Sequence, residues 1–146
     1  METGDTKIPP EQRDFARRLI DLGAADVIHG HSSHHPKAIE VYKQKLILYG
    51  CGDFLNDYEG ISGYEEYRSN LVLMYFVTLD AAAAKVCTVG MVPFQMKRFR
   101  LVRAAPDADW LKEILNGKAG ETGTEVIAGP ENTLLVHAAK TSPMAP

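Results

Sequence analysis

The stretch A-A-D-V-I-H-G-H-S-S-H-H-P-K-A-I-E-V-Y-K-Q-K-L-I-L-Y-G-C-G-D-F, Ala24 to Phe54, decides the fold. Its first seven residues, Ala24 to Gly30, form a short apolar run directly after a helical segment. That order reads as a buried strand reached through a tight connection, in the α/β manner. His31 to Pro36 is a polar loop. Ala38 to Tyr42 and Lys45 to Tyr49 are β-rich runs separated only by Lys43-Gln44, the spacing of a two-residue hairpin. Neither turn residue favours positive φ, so spacing rather than turn chemistry carries that expectation. Gly50-Cys51-Gly52-Asp53 is a glycine-interrupted turn.

Upstream, Pro10 to Leu22 predicts an amphipathic helix. Proline suits its first turn, Glu11 follows where the dipole favours an acid, and Gly23 supplies a C-cap. Phe15, Ala16, Leu19 and Ile20 fall at helical spacing and should face the core. Downstream, Phe54 to Tyr67 reads as an ordered loop. Leu71 to Leu79 is apolar on both alternating faces, as a central strand covered on both sides would be. Ala81 to Ala84 turns the chain. Lys85 to Val92 is the next strand, Pro93 interrupts it at an edge or bulge, and Phe94 to Val102 is a further strand with one wet face. Asp107 to Leu115 predicts a second helix, with Trp110, Leu111, Ile114 and Leu115 as its stripe. Thr124 to Ala128 and Thr133 to Val136 are weaker strands around Gly129-Pro130. The expected domain is residues 1–137, with a disordered tail over 138–146.

Composition narrows the function. The chain has 146 residues, one domain by length, and its 24% of charged residues argues against wholesale disorder. A net charge of −3 makes a basic nucleic-acid-binding domain a poor reading. No apolar run approaches the roughly 18 residues of a membrane helix, and Met1 to Lys7 is too polar for a signal peptide. These features point to a cytoplasmic location for the chain as given. Cys51 and Cys87 both sit in apolar sequence and read as reduced core thiols.

Four of the five histidines, His29, His31, His34 and His35, lie within seven residues at the mouth of the first strand. Strand ends are where α/β proteins place ligands, and neutral imidazole is the commonest transition-metal ligand. Gly30 lets the backbone turn sharply between them. The competing reading is a solvated loop that carries histidines. His29 either packs beside the strand or joins the ligands, and His35, held extended by Pro36, faces either way.

These residues also carry a resemblance. G-H-S-S-H-H-P (Gly30 to Pro36), A-I-E-V-Y (Ala38 to Tyr42) and K-L-I-L-Y-G-C-G-D-F (Lys45 to Phe54) are similar to the bacterial CapA family of capsule, or poly-γ-glutamate, synthesis proteins. R-L-I-D-L-G-A-A-D-V-I (Arg18 to Ile28) and V-P-F-Q-M-K-R-F-R-L (Val92 to Leu101) fit as well, and the likeness runs from Pro9 to Val136. The resemblance implies a calcineurin-like metallophosphatase fold. The chain would be its C-terminal half, an α/β piece of a four-layer α/β/β/α sandwich with a mixed sheet and two main helices. It implies that His31 and His34 provide imidazoles to a site for divalent transition metal (Mn, Zn or Fe), two ions in the complete fold. Asp53 would lie beside that site, either polarising it or facing solvent. The implied function is metal-dependent hydrolysis in making or processing an anionic polymer or phosphoester substrate.

The acidic metal-bridging motifs of the family have no counterpart here. A two-metal hydrolase needs a bridging carboxylate, and two imidazoles do not replace one. The chain alone is therefore expected to be incomplete as a catalyst. It would be either part of a hydrolase finished by a partner supplying the N-terminal half, or a non-catalytic binding or assembly module. The resemblance implies that full-length members can be membrane-anchored or exported through an N-terminal segment. With two helices to cover its strands, the chain should also leave a sheet face or edge open, inviting self-association.

Other features are weaker. Ser32-Ser33 beside His34 lacks a nucleophile elbow. The acidic loop with Asp53, Asp57, Glu59, Glu65 and Glu66 lacks calcium-loop spacing. Tyr58, Tyr64 and Tyr67 either rim a cleft or cover the sheet. Lys97, Arg98, Arg100 and Arg103 form a basic stripe that either meets an anionic substrate such as polyglutamate or is the wet face of a strand.

Overall fold

The computed structural model describes residues 7–31, 33–55, 68, 70–117 and 122–138. Helix α1 spans Pro10–Asp21, and Gly23 follows its C-cap at φ 67°. Strands β1 (Val27–His29), β2 (Ile39–Tyr42) and β3 (Lys45–Leu48) make a three-stranded sheet in the order β1-β3-β2. β1 runs parallel to β3, and β2 is antiparallel to it. The β2–β3 connection is the expected two-residue hairpin. Lys43 and Gln44 take φ values of 49° and 64°, because the twist of the flanking strands demands left-handed turn residues whatever their propensity.

The remaining strands are β4 (Leu71–Leu79), β5 (Val86–Lys97), β6 (Arg100–Arg103), β7 (Thr124–Ala128) and β8 (Leu134–Ala138). They form a second, antiparallel sheet in the order β4-β5-β8-β7, with β6 also paired to β5. Helix α2 (Ala108–Gly117) follows a 3₁₀ turn at Ala105–Asp107 and packs on β7. Among the described residues the fold is thus mixed α/β with two α-helices.

β3 lies at the centre of the packing. Its alternation sends Leu46 and Leu48 into one cluster and Ile47 and Tyr49 into another. On the first side they meet Ile39 and Cys51, Leu71, Leu73 and Met91 of the second sheet, and Leu111 and Leu115 of α2. On the other side Ile47 and Tyr49 meet Ala16 and Ile20 of α1. Polar ties join the layers as well: Thr124 Oγ1 donates to the Ile39 carbonyl at 2.5 Å, and Lys45 Nζ bridges Asp26 to the Ala83 carbonyl at 2.6 and 2.8 Å.

The structure corrects several sequence expectations. β1 is half-buried rather than buried, and His29 at its end is exposed. The helix stripe is rotated: Ala16 and Ile20 face the sheet, Arg17 lies along it toward Glu40, and Phe15 is 64% exposed. Among the described residues β4 lies at the edge of its sheet rather than at its centre. Leu71, Val72 and Leu73 are covered, but Phe76 is 55% exposed, so cover is lost toward the far end of the strand. The chain does not break at Pro93, and β5 runs through it. The Pro93 carbonyl accepts from Ala104 N–H at 3.0 Å, toward the side where β8 pairs with Gly90 and Met91 and the pairing with β6 starts only at Phe94. The missing N–H of proline therefore falls in the gap between two ladders, where no donor is needed. The strand foreseen over Phe94 to Val102 is instead a hairpin turning at Arg98-Phe99. The three tyrosines of the 54–67 loop, its acidic residues Asp57, Glu59, Glu65 and Glu66, and the tail beyond Ala138 lie outside the described residues.

The cysteines differ from each other. Cys51 is buried and Cys87 is exposed; both are free. Cys87 is the unpaired residue of a bulge, since Thr88 pairs with Thr78 and Val86 with Leu79. Burial pushes the Cys51 thiol up to about 11 from 9.0. Its folded-state pKa is raised, so its contribution to stability is complete below pH 9.0 and is lost as pH rises toward about 11. Alkylation of the native chain near about pH 8 should therefore modify one thiol, Cys87, with Cys51 reacting only after denaturation. Equal labelling of both thiols in the folded chain would contradict this packing.

Candidate functional site

The loop between β1 and β2 carries the histidines, and the chain after β3 forms its floor. Gly30 N–H donates to the Leu48 carbonyl at 2.7 Å, and Cys51 N–H donates to the Gly30 carbonyl at 3.2 Å. This continues the β1–β3 pairing past the strand ends. The approach is so close that a Cβ at Gly30 would lie 2.3 Å from the Tyr49 carbonyl oxygen. Beyond it the loop returns through a Pro36–Cys51 bridge, and Lys37 N–H donates to the Gly50 carbonyl at 2.9 Å. Gly52, at φ 71°, brings the chain under His35, where a side chain would be strained.

That turn sets Asp53 against the histidine loop. His34 Nδ1 lies 2.5 Å from Asp53 Oδ2, with the imidazole exposed and the carboxylate half-buried. A carboxylate at Nδ1 favours the tautomer that donates from Nδ1 and turns Nε2 outward. An imidazole oriented in this way can act as a metal ligand or as a proton acceptor. His31 is exposed on the same loop. His35 is turned inward: its Nε2 is shielded from solvent, and its carbonyl accepts from Ser33 Oγ at 2.9 Å. Among the described residues no three His, Cys, Asp or Glu side chains converge as a metal cage. The donor set present is an oriented pair, and it does not fit a two-metal centre by itself.

Sequence reading missed the polar cluster beneath this loop. Along I-E-V-Y, Ile39 and Val41 face the second sheet, while Glu40 and Tyr42 face α1. Glu40 is 2% exposed. Its Oε1 accepts from Arg17 Nε at 2.9 Å and Nη2 at 2.6 Å, and its Oε2 accepts from Tyr49 Oη at 2.6 Å. Burial and the Glu40 contact push the Tyr49 phenol well above its ordinary range. The Arg17 guanidinium stacks 5.0 Å from the Tyr42 ring, and Asp21 receives both Tyr42 Oη and Lys43 Nζ. A glutamate alternating into an apolar face was the available signal.

The family comparison agrees with this geography. The description "Bacterial capsule synthesis protein PGA_cap" matches residues 2–58, which include α1, the histidine loop and Asp53. The chain is similar to CapA-family proteins over part of their length. A Mycobacterium tuberculosis protein named probable polyglutamine synthesis accessory protein is 46% identical over 84% of this chain and 32% of its own length. Capsule biosynthesis protein CapA of Bacillus anthracis is 34% identical over 56% of the chain and 19% of its own length. PGA biosynthesis protein CapA of Bacillus subtilis is 38% identical over 44% of the chain and 16% of its own length. The chain thus spans about a third of the length of the Mycobacterium relative, less than the half that the resemblance implied. Among the described residues no helix is long and apolar enough to cross a membrane.

Proposed function

We propose that this part of the protein serves in building or processing an anionic capsule polymer such as poly-γ-glutamate. In that reading it contributes the imidazole side of a metal-dependent hydrolytic site, completed by sequence that the longer relatives carry. The contact between His34 and Asp53 carries the reading: a carboxylate fixes one ring nitrogen and orients the other, on a loop inside the family match. The relatives' names, polyglutamine synthesis accessory protein and capsule biosynthesis protein, support the polymer class. A second reading, a non-catalytic assembly module, is favoured by the lack of three converging donors among the described residues.

Calorimetric titration with zinc or manganese separates the two. Weak binding is expected for the parent chain and its loss in His31→Ala/His34→Ala. Asp53→Asn should bind about tenfold more weakly, the usual cost of removing a ligand's orienting partner. The pair is exposed at His34, so these substitutions should cost no more than about 1 kcal/mol of stability. Equal heats from all the proteins would remove the metal reading and leave the assembly module.

A further inference from the structure

Strand β4 is nine residues long and pairs, among the described residues, with β5 alone. Its hydrogen-bond phase is fixed at one end. Met96 N–H donates to the Asn70 carbonyl at 2.8 Å, so Asn70 and the alternate residues Val72, Met74 and Phe76 turn their backbone groups toward β5. Pro93, the register partner of Leu73, agrees with this phase, because its carbonyl accepts from Ala104 N–H on the other side of β5. The N–H and C=O groups of Leu73, Tyr75 and Val77 therefore point outward along the edge. Natural edges are guarded by charges, prolines or bulges. Leu71 to Leu79 holds no charged residue, no proline and no glycine, and the bulge in its pairing falls at the far end, between Thr78 and Leu79.

Side chains alternate along the same strand. Leu71, Leu73, Tyr75 and Val77 face the core shared with the three-stranded sheet. Met74 and Phe76 therefore lie on the outer face, where Met74 is half-buried and Phe76 is exposed. The register partner of Phe76 is Gly90, which offers the ring no side chain to rest on. Folding of a single copy thus leaves an aromatic ring and a row of backbone donors and acceptors facing water.

We propose that the β4 edge is the interface for a second copy of this chain, paired antiparallel about a two-fold axis at Tyr75. Tyr75 is the middle residue of the strand, so this axis aligns its whole length with itself. Tyr75 exchanges both main-chain hydrogen bonds with Tyr75 of the second copy, and Leu73 does the same with Val77. Met74 then stands opposite Phe76 of the second copy in the pair without hydrogen bonds, where side chains approach most closely. Each exposed ring gains a thioether neighbour across the axis. A second copy is thus the occupant that brings a methionine to each Phe76 together with an unused backbone edge of equal length. The inference goes beyond the polymer reading and depends neither on it nor on the histidine pair.

Sedimentation velocity over a concentration series tests this on the parent, Met74→Glu and Phe76→Lys. The parent should move toward twice the chain mass as concentration rises. Each variant should need at least about tenfold more protein to do so, because a charge enters both symmetric contacts. An equimolar mixture of the two variants should dimerise again, since the introduced glutamate and lysine face each other across the axis. Phe76 is exposed in the single copy, so Phe76→Lys should unfold in urea at the parent's midpoint. A covalent check uses Cys87→Ser as background, because Cys87 is the exposed thiol. Met74→Cys mixed with Phe76→Cys should form an intermolecular disulfide on mild oxidation, and neither should do so alone. Only the directly opposed pair comes within about 4.5 Å between Cα atoms. A parent that stays monomeric throughout would overturn the inference. Variants that associate as the parent does, or open-ended aggregates in place of a dimer, would put the contact elsewhere and overturn it too. A mixture that neither dimerises nor cross-links would overturn the pairing at Tyr75. Metal titration at the histidine loop is unaffected by any of these results.

Discussion

Gly30→Ala should be among the most damaging single substitutions in the chain. The new methyl group would lie 2.3 Å from the Tyr49 carbonyl oxygen, 2.7 Å from its carbon and 3.0 Å from the Leu48 carbonyl oxygen. These are backbone atoms of the central strand and its extension, and they cannot swing aside as the end of a flexible side chain can. Relief requires β1 to move off β3, which breaks the Gly30–Leu48 and Cys51–Gly30 hydrogen bonds. The cost should be about 3 kcal/mol or more, the upper end for overpacking. For a domain of this size that lowers Tm by about 6–12 °C. Gly117→Ala is the control, since nothing lies within 4 Å of a Cβ there, and it should remain within about 1 kcal/mol of the parent. Urea and thermal unfolding of the two variants provide the measurement. A Gly30→Ala protein that melts with the parent would mean that β1 is held less tightly than its contacts imply. Because the histidine loop begins at His31, Gly30→Ala should also disturb the His34–Asp53 contact, visible as a changed imidazole environment by NMR.

Glu40→Ala should produce the second large effect. Glu40 accepts from Arg17 and Tyr49 while almost wholly buried, so its removal leaves a cation and a hydroxyl facing a hole. Breaking one side of a buried pair costs about 3–5 kcal/mol. The Arg17 side chain is 36% exposed and recovers some hydration, which places the expected loss near the lower figure, about 3 kcal/mol. Glu40→Gln keeps an acceptor for Tyr49 and gives up only the charge, so it should lose about 1–2 kcal/mol. Arg17→Met/Glu40→Leu/Tyr49→Phe removes the whole polar set and should recover most of the stability lost in Glu40→Ala. Chemical denaturation of the three variants gives the ranking. A triple variant no better than Glu40→Ala would show that the cluster acts through shape rather than through unpaired charge.

Local sequence determined the elements with strong periodicity or short-range geometry. Pro10 to Leu22 reads as a helix because its cap signals and spacing agree. The β2–β3 hairpin reads correctly because two residues between β-rich runs leave one compact connection. The adjacency of His34 and Asp53 followed from the resemblance, and its basis is the Gly52 turn, which only a positive φ can make tight. Tertiary structure decided which faces are used. Phe15 belongs to the helix stripe by hydrophobicity but lies outside the contact, because Arg17 takes the position beside Ala16 to reach Glu40. Glu40 looks like a solvent residue in an alternating strand until α1 covers that face. Leu71 to Leu79 has the composition of a central strand, yet among the described residues it pairs on one side only. Pro93 looks like a break until the ladders around it leave a gap at its nitrogen. In each case the deciding partner lies far along the chain, where periodicity and propensity carry no information about which backbone or side chain will be waiting.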